Sequence, residues 1–445
     1  MKQKQKETQV ARKTTEHRFK SSHRISQQKS PNSIRLLAAK KDTAVHAQNY
    51  YVELFANELT TQIDFSYMNY SYQPFTGGGS AIYLNPGFNI FIGSKMADLM
   101  EDYKIDIGVK LNTTLVNNEY VIRFRDLSKR LDKSLTLHRY VTDDEAAYDY
   151  YRTNTNEAFY TLSYPFSEIL SLRGTAIYRF DKRVTLALPY GNGLSEANVI
   201  NNLGGLRAEL VYDNSKKLQT NLHVGSRGKL FAEYYQTIGK DSKNLFVVGF
   251  DYRNYTRIHR NFIWANRIAG SSSFGQNKLI YYMGGVDNWI MAQFNSETPI
   301  DYDQNYSYQT LATNMRGFQQ NIRNGNNFVV LNTELRFPVF SYLLNRPINM
   351  QFIKDFQIVA FGDIGTAWTG WSPYNLANSL YTSHYHDGNL DISVTKIKEP
   401  IVGGFGLGLR TSVLGYFVRG DMAWGVEDGK ISKKPQFYFS FNLDF

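Results

Sequence analysis

From residue 437 to the end of the chain, Phe437, Phe439, Phe441, Leu443 and Phe445 alternate with Tyr438, Ser440, Asn442 and Asp444. A strict period of two belongs to a strand with one apolar and one polar face. The period returns at Tyr103, Ile105, Ile107, Val109 and Leu111, around Lys104, Asp106, Gly108 and Lys110. It returns again at Ile63, Phe65 and Tyr67, and at Leu206, Ala208, Leu210 and Tyr212. Helical spacing is not seen in these runs. Taken in order, they predict strands over 62–72, 86–99, 103–113, 117–128, 133–143, 155–166, 170–183 and 202–214. The second half continues over 227–238, 244–258, 261–275, 328–339, 356–368, 402–411, 413–426 and 435–445, which makes sixteen.

A soluble sandwich alternates for the same reason as a wall between lipid and water, so periodicity alone does not separate them. The connections do. After even-numbered strands they are short, around 100–102, 129–132, 167–169, 259–260 and 412, whereas odd-numbered ones include 184–201, 276–327 and 369–401. Membrane barrels have this parity, with short turns at one rim and long loops at the other. Longer even connections near 215–226 and 340–355, and short odd ones near 114–116 and 239–243, depart from it. No run of eighteen apolar residues is present, so any crossing of a bilayer is made by strands. In hydrocarbon every backbone N–H and C=O needs a partner, which an edge-free sheet supplies. The expected fold is therefore all-β: a transmembrane antiparallel β-barrel of sixteen strands. In its last strand Phe437, Phe439, Phe441, Leu443 and Phe445 are expected to face lipid. A Lys or Arg in such a row at mid-depth costs about 2–4 kcal/mol, enough to enforce the alternation.

Composition changes the picture in two places. Aromatic residues are 15% of the chain, with 32 Tyr and 29 Phe, which suits surfaces apolar on one side and wet on the other. The formal charge of +10 suggests a nucleic-acid or anionic-surface binder until it is located. Residues 1–41 carry twelve Lys or Arg against two Glu, which accounts for the whole excess, and the body is neutral. No nucleic-acid partner is expected. Segment 1–48 has no apolar core of the length a secretory leader needs and is expected to be a disordered basic segment ahead of a barrel over 49–445. Its start is expected to lie inside a longer gene. The absence of Cys removes disulfides and thiolate metal sites.

Two motifs carry a resemblance. Met315-Arg316-Gly317-Phe318 falls in the longest predicted loop, and Phe361-Gly362-Asp363-Ile364-Gly365 falls on the second strand after it. In order and spacing they resemble the RG[FY] loop motif and the F-x-D-x-G strand motif of the bacterial surface antigen superfamily. These are the outer-membrane insertase and translocase barrels of the BamA, TamA and two-partner secretion transporter type. The resemblance implies a plug-like extracellular loop folded into the lumen, with Arg316 paired to Asp363. A guanidinium in a narrow lumen needs a fixed carboxylate of bidentate geometry. Gly317 would then allow close approach of Phe318 and its neighbours, and Gly365 would leave room on the wall.

Asn332-Thr333-Glu334-Leu335-Arg336-Phe337-Pro338 is similar to the superfamily's N-x-E-L-R-x-P strand, and the stretch Gly403–Arg410 to its G-x-G-x-R strand, through Gly404, Gly406, Gly408 and Arg410. Tyr212-Asp213-Asn214 with Ser226-Arg227-Gly228 resembles the turn between the eighth and ninth strands. Gly284-Gly285 resembles a double glycine ahead of the loop motif, but 29 residues intervene, so the loop carries an insertion.

Catalytic signatures are missing: there is no G-x-S-x-G, H-E-x-x-H or phosphate-loop pattern. His384, His386 and Asp387 lie close together without a second cluster to complete a metal shell. No enzyme, cofactor or metal is expected. The resemblance implies a barrel in the outer membrane of a Gram-negative bacterium that inserts proteins into that membrane or translocates them across it. Its partners would be outer-membrane lipid, client outer-membrane or secreted proteins, and periplasmic accessory domains. Clients would pair at a weak seam between the first and last strands. No POTRA pattern is read in residues 1–48, so a second reading stays open: a membrane anchor or passive pore forming the C-terminal part of a longer protein.

Overall fold

The alternating segments form sixteen long strands in the computed structural model. They are β1 (Phe55–Asp64), β2 (Asn89–Ala97), β3 (Tyr103–Asn112), β4 (Glu119–Asp126), β5 (Asp132–Ala146), β6 (Asp149–Pro165), β7 (Leu170–Thr185) and β8 (Val199–Asp213). After these come β9 (Leu222–Thr237), β10 (Asn244–His259), β11 (Phe262–Gly275), β12 (Asn327–Phe337), β13 (Gln357–Trp368), β14 (Val402–Val413), β15 (Tyr416–Glu427) and β16 (Gln436–Phe441). The structure describes residues 51–64, 68–69, 71–75, 77, 89–112, 116–146, 149–186, 197–239, 242–344, 346–376, 378, 380–387, 390–395, 398–441 and 444–445. Within them Glu53–Phe445 belongs to one unit. The basic segment 1–48 lies outside the described residues.

Each strand pairs antiparallel with the next, from β1 with β2 through to β15 with β16. The sheet counts eighteen strands where sixteen were expected. The two additions are short, Lys216–Gln219 beside β9 and Lys430–Ile431 beside β15. A pairing of β16 with β1 is not among those of the described residues. The first strand also differs in place, ending at Asp64 where 62–72 was expected. Ile63, Phe65 and Tyr67 alternate well, but the chain beyond them turns toward the inner face of the sheet.

Along β12 to β16 the outward row is apolar and the inward row polar. Ile358, Ile364, Phe405, Leu407, Leu409, Phe437 and Phe439 are exposed, while Asn332, Glu334, Arg336, Asp363, Arg410, Arg419 and Asp421 are buried. A protein folded against water does the reverse. This inversion is what an apolar solvent outside and a polar interior demand.

The chain between β11 and β12 lies on that inner face. Its strand Lys278–Met283 runs parallel to Tyr306–Leu311 and antiparallel to Arg323–Gly325. Gln73–Pro74, from the connection after β1, adds a fourth strand at the edge, where a residue without an N–H is tolerated. Tyr281, Met283, Met315 and Ile322 of the long loop share an apolar cluster with Leu245, Val247, Val330, Ala367 and Val402 of the wall.

The two long even-numbered connections explain each other. The one after β12 contains α1 (Val339–Leu343) and α2 (Gln351–Lys354). From the one after β8, Gln219 donates to the Lys354 carbonyl and to Asp355, and Asn221 donates to Gln357 at 3.2 Å. Each is long because it reaches the other under the inner face.

Candidate functional site

Strand register builds the site. Asp363 of β13 lies between Asn332 of β12 and Gly404 of β14, and Phe361 lies between Glu334 and Gly406. Because residues two apart share a face, Asn332, Glu334 and Arg336 form one inward column, and Phe361, Asp363 and Gly365 the next. Arg316 of the long loop inserts between them.

Arg316 is 1% exposed. Its Nε and Nη2 donate to the two oxygens of Asp363, both at 2.7 Å, its Nη1 donates to Glu334 at 2.6 Å, and its backbone N–H donates to Asp363 at 3.1 Å. The guanidinium lies 3.7 Å from the centre of the Phe361 ring, a cation–π contact on its open face. Asn332 holds the acid from the side, donating to Asp363 at 2.8 Å. Glu334 also accepts from Arg336 at 2.8 Å and from Arg410 at 2.6 and 2.9 Å. Arg336 in turn meets Asp444 at 2.8 Å, so Arg316, Arg336 and Arg410 face Asp363, Glu334 and Asp444. Shared carboxylates are what make so many buried guanidinium groups tolerable, and removing one partner of such a pair typically costs about 3–5 kcal/mol.

The glycines of β14 make the space. A side chain at Gly404 would collide with the Arg316 carbonyl, one at Gly406 with the Met422 carbonyl of β15 and then the Phe361 ring, and one at Gly408 with the Asp421 carboxylate. Gly317 has φ +100°, and a Cβ there would lie 2.7 Å from Gly425 of β15. Its N–H donates to the Tyr438 hydroxyl at 2.8 Å, and that hydroxyl donates to the Phe318 carbonyl at 2.7 Å. The part expected of Gly365 is corrected. Its tight neighbours are Val329 and Val330 of the adjacent strand, and the room for the loop comes from Gly404 and Gly425.

The 29-residue insertion does not displace the motif. It leaves after the double glycine and returns beside it, Gly285 donating to the Phe318 carbonyl at 3.1 Å and Met315 to that of Gly285 at 3.0 Å. Of the terminal row, Phe437 and Phe439 are exposed, Phe441 is half-buried, and Leu443 lies outside the described residues. Phe445 is corrected: it is 3% exposed, within 4.7 Å of the Arg336 guanidinium and packed with Tyr255, Leu222 and Ile263. The reason is Asp444, whose φ of +71° turns the chain inward. There it meets Arg227, Arg253 at 2.8 Å and the Tyr255 hydroxyl.

Sequence reasoning missed a second cluster on the inner faces of β4 to β9. Both ring nitrogens of His138 meet carboxylates, Glu119 at 2.8 Å and Glu157 at 3.0 Å. The connection after β1 docks on it: Met68 N–H donates to Glu119 at 2.8 Å and Ser71 Oγ to Glu157 at 2.5 Å. Arg179 donates to Ser71 Oγ at 2.7 Å and to the Tyr72 carbonyl at 2.6 Å, and the Tyr72 hydroxyl donates to Glu233 at 3.0 Å. Two connections thus lie on the inner face. The available signal was the inward parity of His138, Glu157 and Arg179 on adjacent strands. A cavity of about 450 Å³ remains between the long loop and β8–β12, lined by Arg207, Glu233, Asp251, Arg253 and Arg267 among others. No group of three or more residues suited to a metal occurs among the described residues, and the side chains of His384, His386 and Asp387 lie outside them.

No family model matches the chain, and no curated protein matches it by sequence. Solved structures do match. BamA from Haemophilus ducreyi lacking POTRA domains 1–3 superimposes with a TM-score of 0.51 at 13% identity, over 86% of this chain and 75% of that one. CdiB from Acinetobacter baumannii gives 0.45 at 14% identity, over 80% and 56% of the two chains, and CdiB from Escherichia coli 0.42 at 12%, over 85% and 66%. The likeness to BamA shows that this chain has the fold of the outer-membrane barrels of that type.

Proposed function

We propose that this chain is an outer-membrane barrel of a Gram-negative bacterium that inserts proteins into that membrane or passes them across it, with the long loop as its resting plug. The observation that carries this reading is Arg316, inserted from the loop and held by both oxygens of Asp363. A lock of that kind gives the loop one defined resting place, where the ion pairs of Arg316 add to the apolar cluster that Tyr281, Met283, Met315 and Ile322 share with the wall. A loop fixed on the inner face by Arg316 and by apolar packing disfavours a passive pore. Clients would pair with backbone at the seam, and β1 suits such an edge: residues 55–59 and 61–62 are exposed on both of its faces. Outer-membrane lipid and periplasmic accessory domains would be the other partners. The test is to reconstitute the chain in vesicles and follow folding of a urea-denatured outer-membrane barrel by its heat-modifiable gel mobility. Client folding faster than in empty vesicles supports the reading, and equal rates refute it.

A further inference from the structure

The inserted part of the long loop does something at the last strand that the lock does not explain. Ile290 N–H donates to the Phe439 carbonyl of β16 at 2.9 Å, Asn288 Nδ2 donates to the Phe441 carbonyl at 3.2 Å, and Trp289 forms an antiparallel bridge with Ser440. These bonds use backbone acceptors of β16 in addition to its ladder with β15, which runs from Ala423–Gln436 to Val418–Phe441. Asn288–Ile290 therefore lies along the other edge of β16, the edge that faces the seam.

The contact is built rather than grazing. Trp289 is 5% exposed, its ring meets Tyr438 edge-on at 4.8 Å, and it shares an apolar cluster with Val286, Phe361 and Ala423. Tyr438 is also the residue whose hydroxyl holds Gly317 and Phe318, so the segment on the edge and the locked motif rest on the same side chain. Asn288 and Met291 bracket the segment with φ of +52° and +60°, which confine the extended part to one or two residues. That is enough to satisfy the edge and too little to extend the sheet.

We infer that the edge of β16 is a strand-docking site and that Asn288–Ile290 is its resident occupant, excluding any other strand until the long loop moves. The partner it fits is an extended segment that supplies backbone donors to Phe439 and Phe441 and an aromatic side chain to the Trp289 position. This rests on the reading that strands pair at the seam, and it adds that the plug and the seam are released together.

The chain has no cysteine, so a Trp289→Cys/Ser440→Cys pair is the only thiol pair in the molecule. Directly opposed residues of an antiparallel bridge stand close enough for a disulfide. The probe is a fluorescent synthetic peptide copying residues 55–64, with binding to the reconstituted chain read by anisotropy. The disulfide is expected to form, the oxidised chain to bind no peptide, and reduction to restore binding. Ile290→Pro, which removes the donor while leaving Trp289, is expected to bind peptide more tightly than the unaltered chain. Failure of the pair to cross-link overturns the inference, as does equal peptide binding before and after reduction. Absence of binding to both the reduced pair and Ile290→Pro also overturns it. Client folding in vesicles is measured separately, so a chain that binds peptide but folds no client would sink the proposed function and leave the docking site standing.

Discussion

Replacing Arg316 by Ala removes three charge-assisted hydrogen bonds, two to Asp363 and one to Glu334. The losses are unequal. Glu334 keeps Arg336 and Arg410, whereas among the described residues Asp363 keeps only the Asn332 amide and the residue-316 N–H as hydrogen-bond donors. The cost is therefore that of an uncompensated buried carboxylate, about 3–5 kcal/mol. At about 1.4 kcal/mol per tenfold, the docked loop loses roughly two to four decades of occupancy. Single-channel recording in planar bilayers should show long-lived open events absent from the unaltered chain, and the heat-modifiability transition should fall in temperature. Arg316→Lys should behave nearly as badly, because a point charge does not reproduce the fork. Arg316→Ala/Asp363→Ala should cost less than the sum of the single changes, since no charge is stranded. If Arg316→Ala left both conductance and the transition unchanged, the lock would not hold the loop.

Other outcomes follow from neighbouring contacts. Gly404→Ala should release the loop much as Arg316→Ala does, because its methyl collides with the Arg316 carbonyl; Gly174→Ala, which meets nothing within 4 Å, should be silent in the same recordings. Glu157→Ala removes the acceptor of Ser71 and one of the two carboxylates that each of His138 and Arg179 meets, so a thiol introduced as Asn69→Cys should react with maleimide faster than in the otherwise unaltered chain. Asp444→Ala leaves Arg227, Arg253 and Arg336 without a shared acid and should cost about 3–5 kcal/mol of stability, read as a lower urea midpoint. An unchanged midpoint would mean that the inward turn at Phe445 contributes nothing.

The wall was legible in the sequence because a period of two survives wherever one face meets an apolar medium and the other a polar one. Arg316 and Asp363 were found from motif spacing, and Glu334, Arg336 and Arg410 from neighbouring motifs. Their common purpose, a network of three arginines sharing Glu334, depends on strand register that spacing does not reveal. The docking of Met68, Ser71 and Tyr72 was hidden because residues satisfied by wall carboxylates have no periodicity of their own. Phe445 continued the apolar row in the sequence, but a single left-handed residue at Asp444 reversed it. The position of β1 was misjudged for a related reason: Phe55 and Leu59 alternate less cleanly than Ile63 and the residues after it.

One cross-linking measurement bears on both the alternation of the wall and the plug. Thr313 of the long loop lies 3.3 Å from Asn332 on the inner face of β12, while the preceding residue, Leu331, points outward. In membranes, Thr313→Cys should form a disulfide with Asn332→Cys and none with Leu331→Cys. A disulfide with Leu331→Cys, or with neither, would contradict a loop held inside an alternating wall.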